Sequence, residues 1–169
     1  LFGSRRTEID QHIPAFLETI SLLRQKFGGF RVITVTSSYS RDIISKAIKA
    51  WPYDITVISD PAQKFDAFAA SDVSLAASGT VALELAMAMV PSIIAYRTNP
   101  FTAWFAKRLV NISFANLVNL TLEREIVPEF LFERCQANLM APALQKLITS
   151  GHARIQQSEG YAEALRQLG

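Results

Sequence analysis

Hydrophobic side chains recur at helical spacing over residues 13 to 27, where Ile13, Phe16, Leu17, Ile20, Leu23 and Phe27 share one face. Pro14 falls in the first turn of such a helix, and the Gly28-Gly29 pair ends it. The period then changes. Phe30 to Val35 is a β-branched run that breaks into ThrSerSerTyrSer, and Ile43, Ile44, Ala47 and Ile48 follow as a second helical stripe. Ile55 to Ile58 reads as a strand ending in SerAspPro, Phe65 to Ala70 as a short helix, and Val73 to Ala76 as another strand. A helix from Thr80 to Met89 stops before Pro91, and Ser92 to Tyr96 is the next strand. Beyond residue 100 the pattern predicts helices over 100–110, 125–133 and 138–149, with an amphipathic tail from His152 to Leu168.

The strands are continuously hydrophobic instead of alternating, which predicts a sheet covered on both faces. Strand and helix take turns along the chain, so the expected fold is α/β: a doubly wound, Rossmann-like parallel sheet with additional carboxy-terminal helices. Residues 1–169 read as one domain, with Ser150 and Gly151 as a hinge for a last helix that packs on another domain or subunit. The opening LeuPheGlySerArgArg looks like the end of a buried strand followed by a turn, without an initiator Met, and predicts a segment of a longer protein.

Half of the 169 residues are hydrophobic, enough for a core of normal size. Seventeen basic residues against fifteen acidic ones leave a net charge of +2, which argues against a nucleic-acid partner. Cys135 stands alone, so neither an intrachain disulfide nor a cysteine zinc cluster forms, and a reducing, cytoplasmic setting fits. No run approaches the roughly 18 apolar residues of a membrane span.

In open parallel sheets, ligands sit beyond the carboxyl ends of the strands. Four loops meet that condition: 3–6, 36–41, 59–64 and 77–80. Gly3, Ser4 and Arg5 offer a flexible backbone, a hydroxyl and a guanidinium suited to phosphate oxygens; a plain turn with a solvated ArgArg pair explains them equally well. Ser78, Gly79 and Thr80 open a helix whose N–H groups favour an anion, while Gly79 permits close approach. Capping alone would account for them. Glu84, one turn further on among apolar neighbours, is placed to hold the two hydroxyls of a ribose. The loop at 59–64 is a candidate for the base, although Asp60 and Pro61 are ordinary turn residues.

Other chemistries lack their signatures. There is no GxGxxG, no P-loop GlyLysSer or GlyLysThr, no HExxH and no GxSxG elbow. His12 and His152 are read as surface residues, and no metal site is expected.

GlySerArg at 3–5, AlaSerGlyThr at 77–80 with Glu84 four residues on, TyrArg at 96–97, ProPheThr at 100–102 and AlaLysArgLeuVal at 106–110, AsnLeu at 119–120 and ArgGlu at 124–125 occur in this order. Together they closely resemble the lipid-A-disaccharide synthases, inverting glycosyltransferases of the GT-B type, from Leu1 to about Leu147. The resemblance implies the carboxy-terminal, donor-binding half of a two-domain enzyme. Such enzymes transfer 2,3-diacylglucosamine from its UDP derivative to 2,3-diacylglucosamine 1-phosphate and release UDP. It implies Gly3, Ser4 and Arg5 near the diphosphate, Ser78, Gly79 and Thr80 at the phosphate-side helix terminus, and Glu84 on the ribose. Asn119, Arg124 and Glu125 would line the donor side of the cleft. It further implies a UDP-sugar substrate with no bound cofactor or metal, an acylated sugar-phosphate acceptor, and a general base in the other domain. The chain departs from the family pattern at Phe2 and Val118, where Pro is usual, and at Leu122-Glu123, where a small AlaGly pair is usual.

Acylated substrates raise the membrane. Phe101, Trp104, Phe105 and Leu109 share a helical face flanked by Arg97, Lys107 and Arg108, which suits docking at the anionic inner face of a bacterial inner membrane. An aromatic stripe at this spacing more often packs in a core. Two other functions fit the pattern: another UDP-sugar GT-B transferase with a lipid-linked acceptor, and a non-catalytic Rossmann-like module whose last helix pairs with another subunit.

Overall fold

The computed structural model describes residues 1–77, 79–98 and 114–169. Along them run α1 (Arg6–Phe27), β1 (Val32–Val35), α2 (Ser38–Ile48), β2 (Ile55–Ile58), α3 (Lys64–Ala69), β3 (Ser74–Ala76), α4 (Gly79–Met87) and β4 (Ser92–Tyr96). After the undescribed stretch come α5 (Leu117–Leu122), β5 (Glu129–Leu131), α6 (Ala137–Thr149) and α7 (Gly151–Leu168). Two parallel ladders are present among these residues, β1–β2 and β3–β4–β5. Leu1 extends the second: its nitrogen donates to the Leu75 carbonyl, and Ala77 N–H donates to the Leu1 carbonyl.

The two faces of β4 explain its unbroken hydrophobicity. Ile93 and Ala95 enter a core with Phe16 of α1, Ile44 of α2 and Leu144 of α6. Ile94, between them, enters another with Phe68 of α3, Leu85 of α4, Val118 of α5 and Tyr161 of α7. Successive strand residues point to opposite faces, so helices cover both and the sheet is doubly wound. Cys135 lies in the first core, and burial pushes its thiol up to about 11. No helix among the described residues is long and apolar enough to cross a membrane.

Three local expectations change. The first helix starts at Arg6, so Pro14 sits in mid-helix and not in a first turn. Pro14 and the residue four before it, Asp10, are both exposed, so the rung lost at proline lies on the solvent face. The segment expected as a helix over 125–133 is instead β5 followed by a turn of 3-10 helix at Phe132–Arg134. Pro128 supplies no N–H but its carbonyl accepts from Ile94, and Phe132 takes a left-handed φ of 55°, both incompatible with a continuous helix. Finally, α5 forms at Leu117–Leu122, where the sequence pattern predicted no element, capped by Asn116 and ended by Glu123 at φ 52°. The helix expected over 100–110 lies outside the described residues.

The last helix packs on its own domain. Gln157 of α7 accepts from Ser92 N–H at 2.6 Å and donates to the Ser92 carbonyl at 2.9 Å, standing in for a neighbouring strand at the start of β4. Tyr161 donates to the Val90 carbonyl and pairs with the Ser92 hydroxyl. Gly160 lets the helix close on Ile126, whose Cγ2 would lie 2.5 Å from an added Cβ. Any contact of this helix with a second subunit uses its outer face, where Ile155 and Leu168 are exposed.

Candidate functional site

A cleft of about 470 Å³ opens beyond the carboxyl ends of the strands. All four loops singled out in the sequence reach it, through Gly3 and Ser4, Thr36 to Ser38, Ser59 to Lys64, and Ala77 and Thr80. Small hydroxyl-bearing side chains dominate the walls. Ser37 caps α2 by accepting from Ser40 N–H, and the Ser40 hydroxyl donates to the Ser4 carbonyl at 2.9 Å. One buried serine thereby ties the second loop to the first.

The first loop is held from below. Gly3 has φ 102°, where a side chain is strained, and an added Cβ would stand 3.1 Å from Glu8 Oε2. Arg5 is the N-cap of α1 and is exposed; its Nη1 lies 2.7 Å from Glu8 Oε1, while the other carboxylate oxygen faces Arg5 N–H. Arg5 itself does not line the cleft; its guanidinium is paired with Glu8 next to Ser4, which does. His12 corrects the surface reading: it is fully buried, whereas His152 is exposed. His12 Nε2 accepts the N–H of Arg97 at 2.8 Å, which leaves the ring proton on Nδ1 to be donated to the Phe2 carbonyl at 3.1 Å. Burial lowers its pKa from the ordinary 6.5, favouring the neutral ring.

On the opposite wall, α4 begins at Gly79, with Thr80 and Glu84 lining the cleft. Ser78 lies outside the described residues. An added Cβ at Gly79 would meet the Ala115 carbonyl oxygen at 2.3 Å, so the close approach this glycine permits is first that of its own chain. Glu84 is neither a solvated helix residue nor a free carboxylate. Lys64 Nζ sits 2.6 Å from its Oε1, with both side chains about one-third exposed at 30% and 37%.

The structure does not bring Asn119, Arg124 and Glu125 to this cleft. Asn119 is buried: its Oδ1 accepts from Ile126 and Val127 N–H, and its Nδ2 donates to the Val127 carbonyl. Buried Glu129 accepts from Ala115 N–H and from both the backbone and side chain of Asn116. Glu129, which also accepts from Asn119 Nδ2 at 3.3 Å, thus fixes the 115–116 backbone that packs on Gly79. Arg124 pairs with Glu163 of α7, and with Glu125 it lines a second cavity of about 510 Å³. That cavity also takes in Pro128 and Gln157, at the starts of β4 and β5, the far end of the sheet. Trp104, Phe105, Lys107 and Arg108 lie outside the described residues. Among the described residues no group of three His, Cys, Asp or Glu is placed to hold a metal ion.

The family model described as lipid-A-disaccharide synthetase matches residues 1–168. The chain belongs to this family. Curated relatives named lipid-A-disaccharide synthase include one from Rhodospirillum centenum, 39% identical over 99% of this chain and 42% of the relative. One from Paramagnetospirillum magneticum is 41% identical over 99% of the chain and 43% of the relative. A third, from Gluconobacter oxydans, is 35% identical over 98% and 40%. The chain spans about two fifths of the length of these relatives.

The side-chain roles not anticipated from sequence are those of Glu8, His12, Ser40, Lys64 and Glu129, although Ser40 and Lys64 lie in loops the sequence singled out. Glu8 alone had a local signal, since a carboxylate three residues after an N-cap is half of a capping box. The others act across long separations that no local pattern reveals.

Proposed function

We propose that this chain is the donor-binding part of an inverting glycosyltransferase that takes 2,3-diacylglucosamine from UDP-2,3-diacylglucosamine to 2,3-diacylglucosamine 1-phosphate, forming the lipid A disaccharide. The observation that carries this reading is the convergence of Gly3, Ser4, Thr80 and Glu84 on one cleft at the strand ends, in a chain of the lipid-A-disaccharide synthetase family. On this reading the diphosphate faces the Gly3–Ser4 turn, flanked by Arg5, and the opening turn of α4 with Ser78, Gly79 and Thr80. Glu84 accepts from the ribose hydroxyls.

Displacement at the anomeric carbon places growing negative charge on departing UDP, which the N–H groups of α4 and nearby cations stabilise. A general base must also remove the acceptor hydroxyl's proton, and this reading places it in a part of the protein beyond this chain. The chain alone then binds UDP with negligible turnover. UDP-sugar is a substrate here, and no resident cofactor enters the reading. Asn119 supports the site indirectly, through Glu129, which fixes the backbone against Gly79.

A reaction on acylated substrates fits a protein in the cytoplasm at the inner face of the inner membrane, with Trp104, Phe105, Lys107 and Arg108 as its contact. Loss of liposome binding on changing Trp104 and Phe105 to Ser, with the fold intact, supports that contact; unchanged binding removes it.

A thermal-shift titration with UDP, AMP and NAD tests the donor site. At a ligand concentration about 100 times the dissociation constant, UDP should add about 2.7 kcal/mol of stability. A folded sample that shows no UDP-specific shift sinks the proposal.

A further inference from the structure

No reading above gives the Lys64 side chain a role of its own, yet it lines the donor cleft. It carries the only cationic side chain among the described residues that line this cleft, beside two carboxylates, Asp60 and Glu84. A nucleoside diphosphate brings negative charge of its own into the same space, and a cleft with two acids and one cation repels it unless that cation is made available. Arg5 does not line the cleft; it is exposed and engaged by Glu8. Lys64 is instead half-buried, on a four-carbon stem at the first turn of α3, with its Nζ on Glu84 at 2.6 Å. A carboxylate that accepts two ribose hydroxyls has less need of an ammonium partner, and a flexible ammonium can swing to a phosphate oxygen.

We infer that Lys64 is the cleft's diphosphate-binding cation, and that it exchanges its ion pair with Glu84 for the diphosphate when the nucleotide enters. The pair is then an internal stand-in for the ligand: before binding, the ammonium fills the place of ribose hydroxyls on Glu84, and the carboxylate fills the place of phosphate on Lys64. This inference rests on the proposed donor site. It adds that the two residues are energetically coupled, and that Lys64 reads the phosphates while Glu84 reads the sugar.

The test is calorimetric titration of the complete protein with UDP, UMP and uridine, comparing the parent with Lys64→Gln, Glu84→Gln and the double variant. Lys64→Gln should weaken UDP by about tenfold or more, UMP by less, and uridine hardly at all. It should also flatten the dependence of UDP affinity on salt. The loss in the double variant should exceed the sum of the single ones, because each single change also removes the ion pair that the nucleotide must otherwise break. An equal loss for UDP and uridine would make Lys64 a support for Glu84 only, and would overturn the inference. So would UDP affinity unchanged by Lys64→Gln while the parent binds UDP normally, a result that leaves the donor site standing. A parent protein that fails to bind UDP removes both.

Discussion

The imidazole of His12 joins the backbone of Arg97 to that of Phe2, accepting the Arg97 N–H at 2.8 Å while its other nitrogen faces the Phe2 carbonyl at 3.1 Å. One ring on α1 thereby holds the end of β4 against the turn that opens the cleft. Phe16 and Tyr96 pack on it at ring separations of 5.4 and 5.5 Å. His12→Ala should cost about 2–4 kcal/mol in urea unfolding, because it leaves a cavity and two unpaired backbone groups. The pH dependence has a definite sign. A folded-state pKa below 6.5, set mainly by burial and opposed by the nearby Glu8 carboxylate, means the unfolded chain takes up the proton first. The contribution of His12 is therefore complete above pH 6.5 and is lost as the pH falls from there through the folded pKa. In His12→Ala that slope should disappear; a slope that persists unchanged assigns it to other groups.

Gly79→Ala tests the packing role of the glycine that opens α4. A methyl group would stand 2.3 Å from the Ala115 oxygen, and that oxygen belongs to a backbone pinned by Glu129. The expected loss is about 1–3 kcal/mol, with UDP affinity falling as well because α4 must shift. Loss of affinity at unchanged stability would mean that Gly79 serves the ligand alone.

Glu84→Ala should weaken UDP more than the 2′-deoxyribose diphosphate, since only the former presents the full pair of hydroxyls. The difference should be about tenfold to a hundredfold, the worth of one hydrogen bond to a charged group. Equal losses for the two nucleotides would exclude a ribose role.

Asn119 and Arg124 should respond very differently, although both belong to the same sequence motif region. Asn119→Ala removes a buried amide that satisfies Ile126, Val127 and the Val127 carbonyl, and should cost about 2–4 kcal/mol. Arg124→Ala breaks an exposed pair with Glu163 and should change stability by about 0–1 kcal/mol. Chemical denaturation of the two variants, side by side, checks the contrast.

Much of this fold was legible along the chain. Ile93, Ile94 and Ala95 are hydrophobic in succession because helices cover both faces of β4, and the helical stripe through Ile13, Phe16 and Leu23 faces a core. Such patterns are local, repeating within a few residues, and survive in one dimension. They failed at 125–133, where five hydrophobic residues over a short span fit a helix turn or a strand equally well. Only the vacant edge of β4 decides for the strand.

The sequence by itself determined the parallel α/β class, the order of its elements up to β4, and the loops that meet at one end of the sheet. It also singled out Gly3, Ser4, Thr80 and Glu84, because small residues and a carboxylate at helix starts carry their chemistry in their spacing. Tertiary structure alone decided the partners. Lys64 reaches Glu84 across 20 residues, His12 reaches Arg97 across 85, and Asn119 turns into the core instead of the cleft. Local periodicity tells which face of an element is buried, whereas the pairing of two side chains depends on how separate elements are brought together, and that is set by the packing of the whole core.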